Sequence, residues 1–420
     1  MSKMDFAQQV ASVHERLSSV LEPTPLQFNQ YLSDLYGANI WLKREDLSPV
    51  RSYKIRGAYT FLMDALERNP DQKLFVCASA GNHAQGFAHA CRNFKRKGVI
   101  FMPQTTPQQK VMKTSSFGAP NVEIRLVGDG FDAANAAALQ FCEEEGGLMV
   151  PPFDHPQIIL GQATVGKEIL EQMPDGLVPD RVIMPVGGGG LSSGITRYFQ
   201  SLDIKSDFTF VEPDLAPSLH DSLSRNERIK LDQVDNFVDG AAVAQIGENN
   251  YEQLSQFSTN DVLLAPTDGV CGTIVEMLNV EGIVLEPAGA LAIDALKRLP
   301  KADIVAKTIV CIASGGNFDF ERLPEVKERS LRFSGLKKYY VLQFPQRPGA
   351  LRDFLMMLGP QDDISRFEYL KKSARNFGTV LIGIETVKAD NFDILTSNMD
   401  AQGMRWQDIT ENQILSGFLI

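Results

Sequence analysis

Three short stretches hold residue types that chemistry needs. Ser52-Tyr53-Lys54-Ile55-Arg56-Gly57-Ala58-Tyr59 sets one lysine among aromatic and small residues, just after the charged run Lys43-Arg44-Glu45-Asp46. Ser79-Ala80-Gly81-Asn82-His83-Ala84-Gln85-Gly86 places an amide in a small-residue turn. Gly187-Gly188-Gly189-Gly190-Leu191-Ser192 places four glycines in a row. A partly buried lysine gives up its proton more readily and becomes a nucleophile. Consecutive glycines at the start of a helix can aim several N–H groups at one phosphate, and the helix dipole adds to the attraction. A lysine, an amide turn and a glycine loop are together what a phosphorylated aldehyde needs. Lys54 is therefore expected to hold pyridoxal phosphate as a Schiff base.

Each stretch also has an ordinary explanation. Most lysines are solvated surface charges, and Lys54 beside Tyr53 could be a snorkelling edge residue. The glycine run could be a flexible turn. It lacks the lysine of G-x-x-x-x-G-K-[ST], which counts against a nucleoside triphosphate loop, and it is not the dinucleotide G-x-G-x-x-G. Ser79 to His83 opens a helix, where its N–H groups could hold a substrate carboxylate and Asn82 could bond a ring oxygen; Ser79 or Asn82 could equally be a plain N-cap. Ser314-Gly315-Gly316-Asn317 follows a strand in the same way. Ser314 could meet a pyridine nitrogen, or close an ordinary turn.

These loops need a scaffold, and the hydrophobic pattern supplies one. Residues 5–21 and 56–68 show helical spacing, as do 83–94 and the alanine-rich 131–145. Short runs rich in apolar and β-branched residues at 40–43, 74–78, 98–102, 122–127, 181–186, 208–212 and 308–312 predict strands. Strands alternating with helices argue an α/β fold with mainly parallel sheets, which bind ligands in the loops after the strands. The motif loops follow strands, which predicts that they share one face. The pattern changes near residue 325. Residues 322–335 are charged and read as a linker helix. Beyond it, strands at 339–344, 364–369 and 378–385, helices between them and a last short strand give the β-α-β-β-α-β order of a ferredoxin-like module. The expected domains are 1–325 for catalysis, with a small subdomain at about 46–149 inserted in it, a linker at 326–336, and a module at 337–420.

SYKIRGAY, SAGNHAQG, GGGGL and SGGN, in that order and spacing, resemble the fold-type II pyridoxal-phosphate enzymes (the tryptophan synthase beta-like fold), and among these the threonine dehydratases. The resemblance covers about residues 5–415. It implies L-threonine as substrate, with L-serine poorer, and β-elimination to 2-oxobutanoate. It implies that Lys54 is the attachment point and general base, that Asn82 contacts the ring hydroxyl, that Gly187 to Leu191 hold the phosphate, and that Ser314 meets the pyridine nitrogen. Tyr53 stands where the family often has phenylalanine. Serine racemases resemble the chain too, but carry a second serine where this chain has Ala80, which has no group to act as the opposite-face base. They also bind a divalent cation in the region matching Glu212 to Ser218; Ser218 replaces an acid there, so no metal is expected. Glu286 resembles a site-lining glutamate, or caps the helix that follows. Phe344-Pro345-Gln346-Arg347-Pro348-Gly349-Ala350-Leu351 resembles the ACT-like regulatory domain of the biosynthetic enzymes. That implies isoleucine as an effector; a purely oligomerising module is the alternative, in a homotetramer or homodimer.

Composition narrows the remaining classes. The chain has 420 residues, 44% of them hydrophobic, and a formal net charge of −11. Large cores are within reach, and a basic footprint for nucleic acid is absent. The five cysteines are scattered with no C-x-x-C pair, which indicates neither zinc nor disulfides and fits buried small side chains in a cytoplasmic protein. No apolar run approaches the length of a membrane span.

Overall fold

The computed structural model describes residues 3–370 and 376–412. The chain forms two compact units. The first is residues 1–267 with 277–318, and the second is 268–276 with 319–420. The last residues of the expected C-terminal module, 413–420, lie outside the described residues.

The first unit holds ten strands: β1 (Leu26–Phe28), β2 (Asn39–Arg44), β3 (Leu74–Ala78), β4 (Lys97–Met102), β5 (Val122–Leu126), β6 (Leu148–Met149), β7 (Arg181–Pro185), β8 (Asp207–Pro213), β9 (Val262–Ala265) and β10 (Thr308–Ala313). They make two sheets. The order β1-β2-β10-β7-β8-β9 is parallel except for β1, and β5-β4-β3-β6 is parallel throughout. Strands such as Phe75-Val76-Cys77-Ala78 and Ile309 to Ala313 are buried along their length, as expected where helices cover both faces of a parallel sheet. The single shared face expected for the loops is thus corrected. Ser79 to His83 follow β3 of the smaller sheet, while the glycine loop and Ser314 follow β7 and β10 of the larger.

The helix carrying Lys54 (Lys54–Arg68) packs on the helix Pro156–Gln172 at glycines. A Cβ at Gly161 would come within 2.7 Å of the Arg56 carbonyl and 2.8 Å of Gly57 Cα, so only glycine lets the two backbones approach this closely. All five cysteines are free thiols, and four are buried. Among the described residues no helix is long and apolar enough to cross a membrane.

The second unit contains β11 (Lys337–Pro345), β12 (Asp363–Leu370), β13 (Phe377–Glu385) and β14 (Arg405–Asp408), with helices Ala350–Leu355 and Asn391–Ala401 after β11 and β13. The antiparallel order β12-β13-β11-β14 is ferredoxin-like. Its core comes from alternate residues such as Tyr340, Leu342, Phe344, Val380, Ile382 and Ile384, the period of two expected of a sheet buried on one face. The charged helix before it, Leu323–Phe333, is tied to the sheet by Lys337, which pairs with Glu328 at 2.5 Å and Glu385 at 2.9 Å.

Candidate active site

Lys54 opens its helix, two residues earlier than the hydrophobic spacing places the start. The loop before it is pinned to the end of β10. Ser52 pairs with Gly315 in a single antiparallel bridge, the Tyr53 N–H donates to Ser314 O at 3.3 Å, and the Gly316 N–H donates to Arg51 O at 2.9 Å. Lys54 Nζ donates to Pro152 O at 3.0 Å and lies 5.4 Å from the Tyr53 ring centre and 5.7 Å from that of Phe153. Burial lowers its pKa to about 8, with Glu286 pulling the other way. At pH 7 roughly a tenth of such amines are neutral, against about one in three thousand for a free lysine. This is the property an attacking amine requires.

The glycine loop is shaped by what presses on it. A Cβ at Gly188 would run into the Phe153 ring, one at Gly190 would meet Phe153 O at 2.9 Å, and one at Gly189 would meet Asn250 Cβ at 2.9 Å. Gly189 also has φ of +88°, where side chains are disfavoured. Asn250 Nδ2 holds the loop by donating to Gly188 O at 2.7 Å. The helix Gly190–Ser201 begins here, and the first N–H groups of a helix have no intrahelical acceptor. Leu191 lies in that first turn. The loop therefore presents donors to an anion, and Phe153 joins it to Lys54.

Asn82 begins the helix Asn82–Asn93. Its Nδ2 donates to Glu286 Oε1 at 2.5 Å, and its Oδ1 accepts from Asn317 Nδ2 at 2.6 Å. Both sheets thus meet at this amide. Burial pushes the Glu286 carboxyl up to about 7, and Asp239 adds to the rise while Asn82 opposes it. Glu286 stands at the N-cap of Pro287–Asp294 without a side-chain capping bond, so its side chain serves the site instead. Ser314 is buried, and its Oγ donates to Ala288 O at 3.2 Å.

Ser79, Ala80 and Gly81 are half-buried in the turn after β3, and the Gly81 N–H donates to Ser79 Oγ at 3.2 Å. The His83 ring is buried. Its Nε2 lies 3.0 Å from Val150 O, and burial, with the Lys54 charge nearby, pushes its pKa down to about 3. Glu212 is fully buried and accepts from the Leu219 and His220 N–H groups at 2.7 and 2.8 Å, and from Ser218 Oγ at 3.3 Å. It closes the start of the helix Ser218–Arg225, to which Ser218 contributes its hydroxyl donor.

Phe153, Pro152, Asn317 and Lys113 are neighbours of this site that spacing alone did not single out. Asn317 was visible as the last residue of SGGN. Phe153 lies in no motif, and only the space left by the glycines points to a ring there.

An amine of lowered pKa, a donor-rich glycine loop and an amide between them fit pyridoxal phosphate by type and position. Residues 17–315 match the family model described as pyridoxal-phosphate dependent enzyme, and residues 328–419 match that of the C-terminal regulatory domain of threonine dehydratase. The protein from Staphylococcus epidermidis named biosynthetic L-threonine dehydratase is 44% identical over 98% of this chain and 98% of its own. One of the same name from Halalkalibacterium halodurans is 42% identical over 98% and 99%. The solved processed form of threonine deaminase isoform 2 from Solanum lycopersicum is 36% identical, with a TM-score of 0.71 over 78% of this chain and 88% of its own. Pairing the cofactor-site scaffold with that regulatory module, the chain belongs to the threonine dehydratases of the pyridoxal-phosphate-dependent enzyme family.

Proposed function

We infer that the protein is an L-threonine dehydratase, a lyase that converts L-threonine to 2-oxobutanoate and ammonia at the head of isoleucine biosynthesis. When bound, pyridoxal phosphate supplies the sink for the charge left on the α-carbon. In this reading Lys54 Nζ is the attachment amine and, once released, the general base that takes the α-proton; burial has brought its pKa to about 8, close to where a base works well. The N–H groups from Gly187 to Leu191 hold the phosphate. Asn82 Nδ2 donates to the ring hydroxyl, Tyr53 packs beside the ring, and Ser314 Oγ meets the pyridine nitrogen. A serine leaves that nitrogen unprotonated, which weakens the sink and suits elimination of a hydroxide. The backbone of Ser79 to His83 holds the substrate carboxylate, with Glu286 beside it. Ala80 offers no acid for the opposite face, which favours elimination over racemisation.

In the same reading residues 1–325 are catalytic, 326–336 link, and 337–420 regulate. Isoleucine acts on the last of these as a feedback effector, and the protein assembles as a homotetramer or homodimer. The observation that carries the proposal is Lys54 Nζ held between Pro152 O and the Phe153 ring, which itself packs on Gly188. The test is to follow 2-oxobutanoate from L-threonine with and without L-isoleucine, beside L-serine. Faster turnover of threonine than serine, suppressed by isoleucine, is expected. Product untouched by isoleucine would remove the effector, and no keto acid from either substrate would overturn the lyase.

A further inference from the structure

Lys113 lies in the helix Gln108–Gly118 beside the smaller sheet and belongs to none of the sequence motifs. Its Nζ donates to Asn317 Oδ1. Asn317 Nδ2 then donates to Val50 O at 2.9 Å and to Asn82 Oδ1 at 2.6 Å, and Asn82 Nδ2 donates to Glu286 Oε1 at 2.5 Å. Four side chains from both sheets make one directed chain of hydrogen bonds. We propose that Lys113 and Asn317 are positioning residues for the cofactor site, which fix the direction in which the Asn82 amide faces. This rests on the functional reading above, in which Asn82 contacts the cofactor ring.

The chemistry of the two ends sets the direction. An ammonium can only donate and a carboxylate can only accept. With Lys113 at one end, Asn317 must turn its oxygen to Lys113 and its nitrogen to Asn82. Both N–H bonds of Asn317 are then committed, one to Val50 O and one to Asn82 Oδ1. Asn82 is left with its nitrogen facing Glu286, and one further N–H for an acceptor on the cofactor. A flipped Asn82 would set its nitrogen against the Asn317 nitrogen and leave a part-buried donor unpaired, a costly arrangement. Glu286 alone could not guard against this flip, because its carboxyl takes up a proton near pH 7, and a protonated carboxyl can accept from the amide nitrogen or donate to the amide oxygen. Burial, with Arg51 beside it, lowers the Lys113 pKa, but its Nζ carries N–H donors in either form. Glu286 is faced by Lys54 and Tyr53, and by Lys110 and Asp239; Lys113 is faced by Arg51.

The test uses the cofactor-loaded full chain and the variants Lys113→Met, Lys113→Arg and Asn317→Asp. Two readouts are taken: the visible absorbance of the bound cofactor titrated against pH without substrate, and the pH profile of kcat/KM for L-threonine. Losing a cation lets nearby acids keep their protons to higher pH. Lys113→Met is therefore expected to move both titrations upward by roughly half a unit to one unit and to lower kcat/KM about tenfold, with Lys113→Arg within about twofold of the parent. Asn317→Asp keeps an acceptor for Lys113 but removes the donors to Val50 and Asn82, so it is expected to weaken cofactor binding more than Lys113→Met does. The proposal is overturned if Lys113→Met keeps the parent's absorbance and pH profiles, whatever happens to its melting temperature. It is overturned equally if arginine does no better than methionine. Should the parent bind cofactor yet make no keto acid, the functional reading fails by itself, while the absorbance titration still decides this proposal.

Discussion

Lys54 and Arg56 stand two residues apart at the start of one helix. Lys54 has a backbone carbonyl and two aromatic rings around its charge. Arg56 has two carboxylates. It donates to Glu45 at 2.9 Å through both Nε and Nη2, and to Glu168 at 2.6 and 2.8 Å. Thr24, Thr164 and Lys43 complete the cluster, with Lys43 Nζ 2.6 Å from Glu168. Burial works against the charge on both residues. At Lys54 burial wins and the pKa falls to about 8. At Arg56 the two carboxylates outweigh burial and hold the guanidinium charged. Burial without a paired counter-ion leaves a reactive amine, and burial with full pairing leaves a fixed post. The post sits one half-turn from the amine, where it holds the first turn of the helix against Glu45 and Glu168.

Breaking the post should have the largest effect. Arg56→Met strands the buried Glu45 and leaves Glu168 to Lys43, and is expected to cost about 3–5 kcal/mol, read by urea unfolding of the cofactor-free protein. A loss below about 1 kcal/mol would mean that the cluster is better solvated than its burial implies. Next comes the glycine loop. Gly188→Ala forces the Phe153 ring to move and is expected to weaken cofactor binding about tenfold. Gly130→Ala, which has open space around its Cβ, should leave binding unchanged.

A smaller effect sharpens the contrast at Lys54. Its native pKa of about 8 lies below the ordinary lysine value of 10.5, so between those values the unfolded chain holds more protons than the native one. Stability of the cofactor-free protein should therefore rise across that window as the penalty for burying the ammonium disappears. The rise should be missing in Lys54→Met, when both are melted at steps from pH 7 to pH 10.5. An equal rise in the variant would assign it to another group. The smallest effect belongs to an exposed pair. Arg68 meets Asp64 at 3.0 Å with 72% of its side chain exposed, and Arg68→Ala should change stability by less than about 0.5 kcal/mol.

Much of this was legible before any coordinates. The strands at 74–78 and 308–312 are short, almost wholly apolar runs, and the helix Phe131–Glu145 has the bounds its alanines predict. Lys54, Asn82, the glycines and Ser314 were named by type and by their places after strands. The order of strands within each sheet was less legible, because strand runs carry no record of which strands pair. The charged run at 43–46 shows the same limit. Glu45 looks like a surface residue until Arg56 and Thr24 are placed around it, and Glu168 comes to the cluster from a helix more than a hundred residues away. His83 is expected among the substrate contacts through the N–H groups of its turn, while its ring Nε2 lies 3.0 Å from Val150 O.

In the proposed reading Lys54, and no other lysine, carries the cofactor. Borohydride reduction of the pyridoxal-phosphate-loaded protein, followed by peptide mass mapping, tests it most directly, since reduction fixes an imine as a stable amine. The phosphopyridoxyl mass is predicted on the peptide containing Lys54, with none recovered from Lys54→Ala. The same mass on Lys110 or Lys113, or on no peptide of a protein that shows the cofactor's absorbance, would contradict the account.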